Sequence, residues 1–296
     1  MQITSERQTA AHKIDTTTLK EIPTKHQASK EKKKQGPNRR CSTERANGDC
    51  STKHHIRVLL GNVQSLIPKM DEIQAIVKTF DYDVLAFNET WLDLDKKHLE
   101  AEISIQNYKQ FHIDKPTATK RGGGSCLYVK HTLLPVAKKL KATAYYELIQ
   151  VNIRPSNGRT IKLILVYRNP AISAGSDIEF YEELEDILSS SSESVIMGDF
   201  NQPNINWNQL DSHTPGNKLV NFVQNNNLTQ HVQTPTRLRN ILDLILSTEN
   251  DLVNNIQILD KIGDHKTVSC CIKTTTVNRN TTRYIYDFRR ANFEGM

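Results

Sequence analysis

The 296-residue chain has no apolar run near the roughly 18 to 20 residues that a membrane-crossing helix needs. Its opening stretch, MQITSERQTA, lacks the basic-then-apolar order of a secretory signal. An intracellular protein with no membrane partner is therefore expected. Cysteines are few and irregularly spaced: Cys41, Cys50, Cys126, Cys270 and Cys271 form no CxxC pair. That argues against a zinc site and against a disulfide framework, and reduced thiols are predicted. Tryptophan occurs only as Trp91 and Trp207, both read as core or rim aromatics, and no segment repeats another. What is present is the composition of a globular protein: 37% hydrophobic and 24% charged residues, enough for a sizeable core.

Charge is spread unevenly. Residues 1–55 hold twelve Lys or Arg against six Asp or Glu, a surplus equal to the formal +6 of the whole chain. They include Lys30, Lys32, Lys33, Lys34, Arg39 and Arg40, with almost no periodic apolar content, so a disordered basic arm is predicted there. Such an arm is either a solvated leader or a segment that binds polyanions or directs nuclear import. The second possibility makes the nucleus the expected location, reached from the cytoplasm.

From residue 56 the texture changes. IRVLLGNVQSL opens as a strand and stops at Gly61-Asn62, and Pro68 then sits where a first helical turn accepts it. Met70, Ile73, Ile76, Val77 and Phe80 recur at spacings of three and four, one face of a helix that Asp81 closes. DVLAF is a second apolar run ending in Asn88 and Glu89. SCLYVKHTLL, YELIQVNI, TIKLILVY, SVIM, ILDLIL, IQILDKI and TVSCCI read as further strands, rich in β-branched and aromatic residues. Phe180, Tyr181, Leu184, Ile187 and Leu188 mark a second helix, and Leu219, Phe222 and Val223 a third. Many strands with a few helices between them predict one α/β domain over residues 56–275.

The polar ends of these runs share a character. Asn62, Glu89, Tyr167, Asp199, Asn201, Asp264 and His265 each follow an apolar run, and Asp243 lies inside one. A buried Asp is costly unless something pairs with it, and His265 is the candidate partner. Carboxylates at several strand ends, with amides and one histidine, suit a hard-cation site of oxygen ligands beside a general base.

In order along the chain, GNVQSL (Asn62), LAFNETWL (Glu89), LVYRNP (Tyr167), GDFN (Asp199, Asn201), ILDLIL (Asp243) and GDH (Asp264, His265) resemble the endonuclease/exonuclease/phosphatase superfamily. Within it, they are similar to the apurinic-type endonuclease domain of non-LTR (LINE-type) retrotransposons. The resemblance implies a four-layered α/β sandwich, two packed mixed β-sheets flanked by helices, with the site at one edge of the pair. It implies that Glu89 holds a catalytic Mg²⁺ or Mn²⁺, with Asn62 and Asp264 in the shell around it. Asp199 would deprotonate the attacking water, Asn201 position it, and His265, fixed by Asp243, hydrogen-bond the scissile phosphate. Tyr167 would contact the phosphate or the leaving oxygen. Many such relatives carry Ser or Thr where Asn240 stands and Ser where Gly263 stands, which puts local hydrogen bonding in question more than catalysis.

These residue types suit the chemistry. A phosphodiester is anionic and repels hydroxide, so hydrolysis needs positive charge on the phosphoryl oxygens and a nucleophile made in place. Carboxylates hold the cation and accept the water proton, whereas Asn62 and Asn201 orient without adding negative charge.

The implied activity is a Mg²⁺-dependent DNA endonuclease that nicks one strand and leaves a 3′-hydroxyl to prime reverse transcription. The alternatives are an abasic-site repair endonuclease, a phosphoinositide phosphatase, or an inactive remnant that binds nucleic acid. Residues 56–266 carry 22 basic and 25 acidic residues, so DNA contacts must come from local clusters. Arg121 beside Lys120, Arg168, Arg237 and Arg239 are the loop candidates. Residues 276–296, with RYIYDFRRANFEGM, look like the linker that leads toward a reverse transcriptase in cis.

Overall fold

The computed structural model describes residues 55–93, 100–115, 122–156, 158–190, 192–203, 205–207 and 217–274. The expected basic arm, except His55, the expected C-terminal linker and Arg121 lie outside the described residues.

Two six-stranded sheets pack face to face. The first has the spatial order β11 (Val253–Lys261), β12 (Lys266–Lys273), β1 (His55–Asn62), β2 (Val84–Asn88), β4 (Ser125–Lys130), β3 (Tyr108–Ile113). The second runs β5 (Val136–Ala142), β6 (Tyr146–Ile153), β7 (Ile161–Arg168), β8 (Ser194–Asp199), β10 (Asp243–Ser247), β9 (Thr229–Gln230). Each sheet is mixed: β1 and β2 are parallel, β7 and β8 are parallel, and the other pairs are antiparallel.

The apolar runs alternate in destination because both faces of each sheet are covered. On β1, Ile56, Val58 and Leu60 enter the layer between the sheets, while Leu59 faces the outer layer with Met70 and Ile73 of α1 (Met70–Phe80). On the far side, Ile164, Val166 and Ile196 pack against α2 (Ala174–Leu188) and α3 (Lys218–Asn225). Helix, sheet, sheet and helices make the four layers expected.

Local chemistry sets the helix ends. Pro68 lies in the 3₁₀ turn Ile67–Lys69 ahead of α1, Asp71 and Glu72 occupy its first turn, and Asp81 ends it in the left-handed region at φ 50°. Ser173 caps α2 by accepting from Ser176 N at 3.2 Å, and Asn217 caps α3 by accepting from Leu219 N at 3.0 Å.

The sheets share a wiring plan that no sequence repeat announces. Each has a hairpin (β11–β12, β5–β6), a parallel strand–helix–strand unit (β1–α1–β2, β7–α2–β8), then an inner and an edge strand (β4 and β3, β10 and β9). Two parallel pairs therefore sit mid-sheet, with a crevice at their carboxyl ends.

Three strands went unread in the sequence. β3 and β5 are edge strands with mixed or exposed patterns, as in VAKKLKA, and β9 is only two residues long. The run SCLYVKHTLL stops as a strand at Lys130, and His131–Leu133 form a 3₁₀ turn. The expectation of reduced thiols holds for Cys126 and Cys270, which are free and buried, whereas Cys271 is disulfide-bonded.

Candidate active site

Strand register lines up two rows of polar side chains. In the second sheet Glu147, Tyr167, Asp199 and Asp243 are successive partners across β6, β7, β8 and β10. In the first, Asn62, Asn88 and Ser125 are partners across β1, β2 and β4. Both rows lie at the carboxyl ends of the parallel pairs, and side chains tie them together. Asn62 Nδ2 donates to Asp199 Oδ2 at 3.0 Å, and Asp199 N donates to Asn88 Oδ1 at 3.0 Å. Asn88 Nδ2 donates to Ser125 Oγ at 3.0 Å, whose hydroxyl donates to Glu147 Oε2 at 2.6 Å.

Gly198 makes the approach of β8 to β7 possible. It holds φ +144°, and a Cβ there would lie 1.9 Å from Val166 O. Only glycine lets the strand end so close to its neighbour that Asp199 enters the cluster.

Asp199, Asp243 and His265 are all buried, and one polar atom from each lies within 4.8 Å of the others. His265 Nδ1 is 2.7 Å from Asp243 Oδ2, and its Nε2 is 3.7 Å from Asp264 Oδ1. Burial alone would lower the His265 pKa; the hydrogen bond and charge of Asp243, with Asp199 and Asp264, outweigh it and raise the value to about 8. Asp199 is raised by its own burial and by the charge of Asp243, against the opposing pull of His265 and Asn62. Asp243 and His265 are hydrogen-bonded to one another with Asp199 beside them, which makes the three an acid–base group.

Glu89 and Asn201 follow β2 and β8 in the left-handed backbone region, at φ 53° and 47°. Such conformations in non-glycine residues persist where surroundings over-determine them. Asn201 N donates to Asp199 Oδ1 at 3.0 Å and its Nδ2 to Arg168 O at 2.9 Å, which fixes the amide beside the carboxylate. Tyr167 OH donates to Glu89 Oε1 at 3.4 Å. Burial, then the charges of Glu89, Asp199 and Glu147, push its pKa up, so it remains a phenol.

Oxygen atoms in this crevice fit a hard divalent cation. Asn62 Oδ1 and Asp264 Oδ1 are buried and lack a hydrogen-bond partner, and the Glu89 carboxylate, which accepts from Tyr167 OH, is near enough for its charge to act on Asp199. Together they form an all-oxygen donor set able to hold Mg²⁺ or Mn²⁺.

The eight residues singled out in the sequence thus fall into one cluster. Of the four arginines, Arg121 lies outside the described residues and the other three divide. Arg237 Nη2 pairs with Asp264 Oδ2 at 2.7 Å on the rim, and Arg239 is exposed in the turn that Arg237 begins, against a 420 Å³ groove that Trp207 also lines. Arg168 turns inward, where its Nε donates to Asp177 Oδ1 at 2.8 Å, so its side chain is not offered to a groove. Arg168 follows Tyr167 at the end of a strand buried throughout, which is why a loop contact was expected and a core ion pair found.

Four residues of the site escaped sequence reading. Asn88 was noted only as a strand end, although it is one of the links between the sheets. Ser125 and Glu147 join through contacts across the sandwich that no local pattern signals. Lys69 donates to Val63 O; burial lowers its pKa, against the nearby charges of Glu72 and Asp264. Gly263 is also explained: a Cβ there would lie 2.3 Å from Asn62 O, so a serine would not fit without moving the turn.

Residues 59–269 match the family described as the endonuclease/exonuclease/phosphatase family. The chain belongs to that family, and its domain is a hydrolase of the nuclease and phosphatase kind. A probable RNA-directed DNA polymerase from transposon X-element of Drosophila melanogaster is 25% identical over 170 residues, 57% of this chain and 18% of that protein. The chain therefore spans under a fifth of that relative. Among solved structures, the endonuclease domain of TRAS1, a telomere-specific non-LTR retrotransposon, matches with TM-score 0.56 and 18% identity, covering 74% of this chain and 98% of that one. AP endonuclease LMAP from Leishmania major matches with TM-score 0.55 and 15% identity over 74% and 88%. A mannosyl-6-phosphatase of Bacteroides thetaiotaomicron matches at 0.55 and 11% over 73% and 99%. These structural likenesses establish the fold.

Proposed function

We propose that the chain is a Mg²⁺-dependent, or Mn²⁺-dependent, DNA endonuclease of retrotransposon origin that nicks one strand and leaves a 3′-hydroxyl. The observation that carries the reading is the buried Asp243–His265 pair beside Asp199, facing an all-oxygen set of Glu89, Asn62 and Asp264. The transposon polymerase and the TRAS1 endonuclease domain among its relatives support DNA as substrate over a phosphosugar. They also support a reverse transcriptase in cis and a nuclear place of action.

The cation, held by Glu89, Asn62 and Asp264, supplies positive charge to the phosphoryl oxygens. Asp199 accepts the proton of a water that attacks phosphorus, and Asn201 orients that water through its fixed amide. His265, kept cationic by Asp243, donates from Nε2 to a phosphate oxygen as charge builds. Tyr167 hydrogen-bonds the phosphate or the leaving oxygen. The P–O3′ bond breaks, O3′ takes a proton, and the products are a 3′-hydroxyl and a 5′-phosphate. Arg237, Arg239 and Arg121 are the candidates for holding the flanking phosphates, with the basic arm adding salt-dependent affinity.

Supercoiled plasmid incubated with wild-type or Asp199→Ala protein, in Mg²⁺ and in EDTA, tests the reading. Open-circular product is expected only from wild type with metal. Preferential turnover of an abasic duplex or of a soluble phosphoinositide would replace the substrate, and binding without turnover of any of the three would replace the activity.

A further inference from the structure

Glu147 is a buried carboxyl in the crevice that the proposed chemistry does not use. It is 2% exposed, it is the register partner of Tyr167, and burial with the nearby Glu89 charge raises its pKa to about 7. Both its oxygens are committed: Gly124 N donates to Oε1 at 2.7 Å, and Ser125 Oγ donates to Oε2 at 2.6 Å. Each oxygen is thereby directed at the segment Gly124–Ser125. The segment it grips is the one that carries Glu89. Thr90 N donates to Gly124 O at 2.9 Å and Trp91 N to Gly123 O at 3.1 Å, while Ser65 N donates to Glu89 O at 2.9 Å from the other side. Glu89 and Trp91 are both in the left-handed region, a conformation that needs such support from outside.

We infer that Glu147 is a positioning residue for the cation site: its carboxyl anchors the turn at Gly123–Ser125, and through it the backbone that aims the Glu89 carboxylate. The inference rests on the proposed nuclease reading for the identity of the site. Stability does not explain the residue. A second carboxyl set beside Glu89 in a buried sheet position is penalised by desolvation and by like charge. Ser125 extends the same grip to Asn88, which accepts from Asp199 N, so one carboxyl braces both the cation-side and the base-side strand ends.

The test uses the intact chain and reads Mn²⁺ affinity by electron paramagnetic resonance, alongside thermal melting and plasmid nicking across a Mg²⁺ titration. Glu147→Ala should weaken Mn²⁺ binding and raise the half-maximal Mg²⁺ by roughly 10-fold or more, as loss of a residue that orients a ligand does. Excess metal should recover much of the nicking rate. Glu147→Gln, which keeps an acceptor for Gly124 N and a partner for Ser125 Oγ, should stay near wild type. If the alanine variant does not melt cooperatively, Ser125→Ala decides, with a smaller shift in the same direction expected. Unchanged Mn²⁺ affinity in a folded variant overturns the inference, as does a wild-type chain that binds no Mn²⁺. A wild type that binds Mn²⁺ but cuts no DNA defeats the nuclease reading alone, and the affinity shift still judges Glu147.

Discussion

Replacing Asp243 by Asn separates its charge from its shape. Asp243 Oδ2 faces His265 Nδ1 at 2.7 Å, and Oδ1 is a buried acceptor without a partner. An amide can keep its oxygen on the ring and turn its nitrogen toward the unpartnered side, so the fold should survive with little change in Tm. The charge does not survive. His265 is raised from 6.5 to about 8 despite its burial, a net preference for the cation of ~2 kcal/mol. Without Asp243, burial is opposed only by Asp199 and Asp264, and the value falls to 6.5 or below. At pH 7.5 the cationic fraction then drops from about three quarters to under about a tenth. Population alone predicts a loss of roughly 8-fold, and loss of ring orientation, by analogy with serine-protease triads, carries the range up to ~10⁴-fold. A group that must be cationic supports turnover below its pKa and loses it as pH rises, so the alkaline limb of kcat/KM for nicking should move to lower pH in the variant. The acidic limb reports Asp199 losing its proton, and both apparent values belong to the cluster rather than to one residue. A variant that nicks like wild type at pH 7.5 with an unmoved alkaline limb refutes the assigned role of the pair.

Asn88→Ala leaves Asp199 N without its partner in the other sheet and takes one of two hydrogen bonds from Ser125 Oγ; a loss of about 1–3 kcal/mol for the stranded buried group is expected in denaturant melts. Nicking should fall as well, because Asp199 loses its backbone anchor. Gly198→Ala, which forces a Cβ to within 1.9 Å of Val166 O, should yield no cooperatively folded protein; a normal melt would contradict the strand packing described. Glu147→Gln should change stability with pH. The folded carboxyl titrates near 7 against 4.5 for the ordinary value, so the native state binds the extra proton and wild-type stability declines between those limits. The amide variant should match wild type at pH 5 and exceed it at pH 8, by at most ~3 kcal/mol. Equal pH profiles for the two proteins would show that the site does not penalise the charged form.

Much of the site was legible because chemistry sits where apolar runs stop. Asn62, Glu89 and Asp199 end strands or follow them directly, His265 stands immediately ahead of one, and Asp243 stands out as a charge inside ILDLIL. Glu147 also lies inside an apolar strand, in YELIQVNI, yet Tyr146 and Glu147 there read like the start of an exposed edge. Nothing local says that Ser125, from the other sheet, will meet it. Asn88 has the same difficulty, since its partners are 37 and 111 residues away. Arg168 shows the reverse error: polarity beside a catalytic-looking tyrosine suggested a groove contact, while strict alternation on β7 and the carboxylate of Asp177 took it inside. The helices were legible in position because Met70 to Phe80 and Phe180 to Leu188 keep a helical period, whereas β3 and β5, half covered at sheet edges, have no clean one.

The wiring of the first sheet has a consequence for how the protein is made. β1 to β4 are synthesised first and β11 and β12 last, with the whole second sheet in between. Asp264 and His265 stand just ahead of β12, so they join the crevice only when that strand zips onto β1. A nascent or proteolysed chain reaching only to β10 already holds Asp199, Asn201 and Glu89, but not the imidazole or its neighbouring carboxylate. Closure of β12 on β1 is thus the last step in assembling the crevice, and a chain that stops before it lacks the imidazole that the proposed chemistry needs.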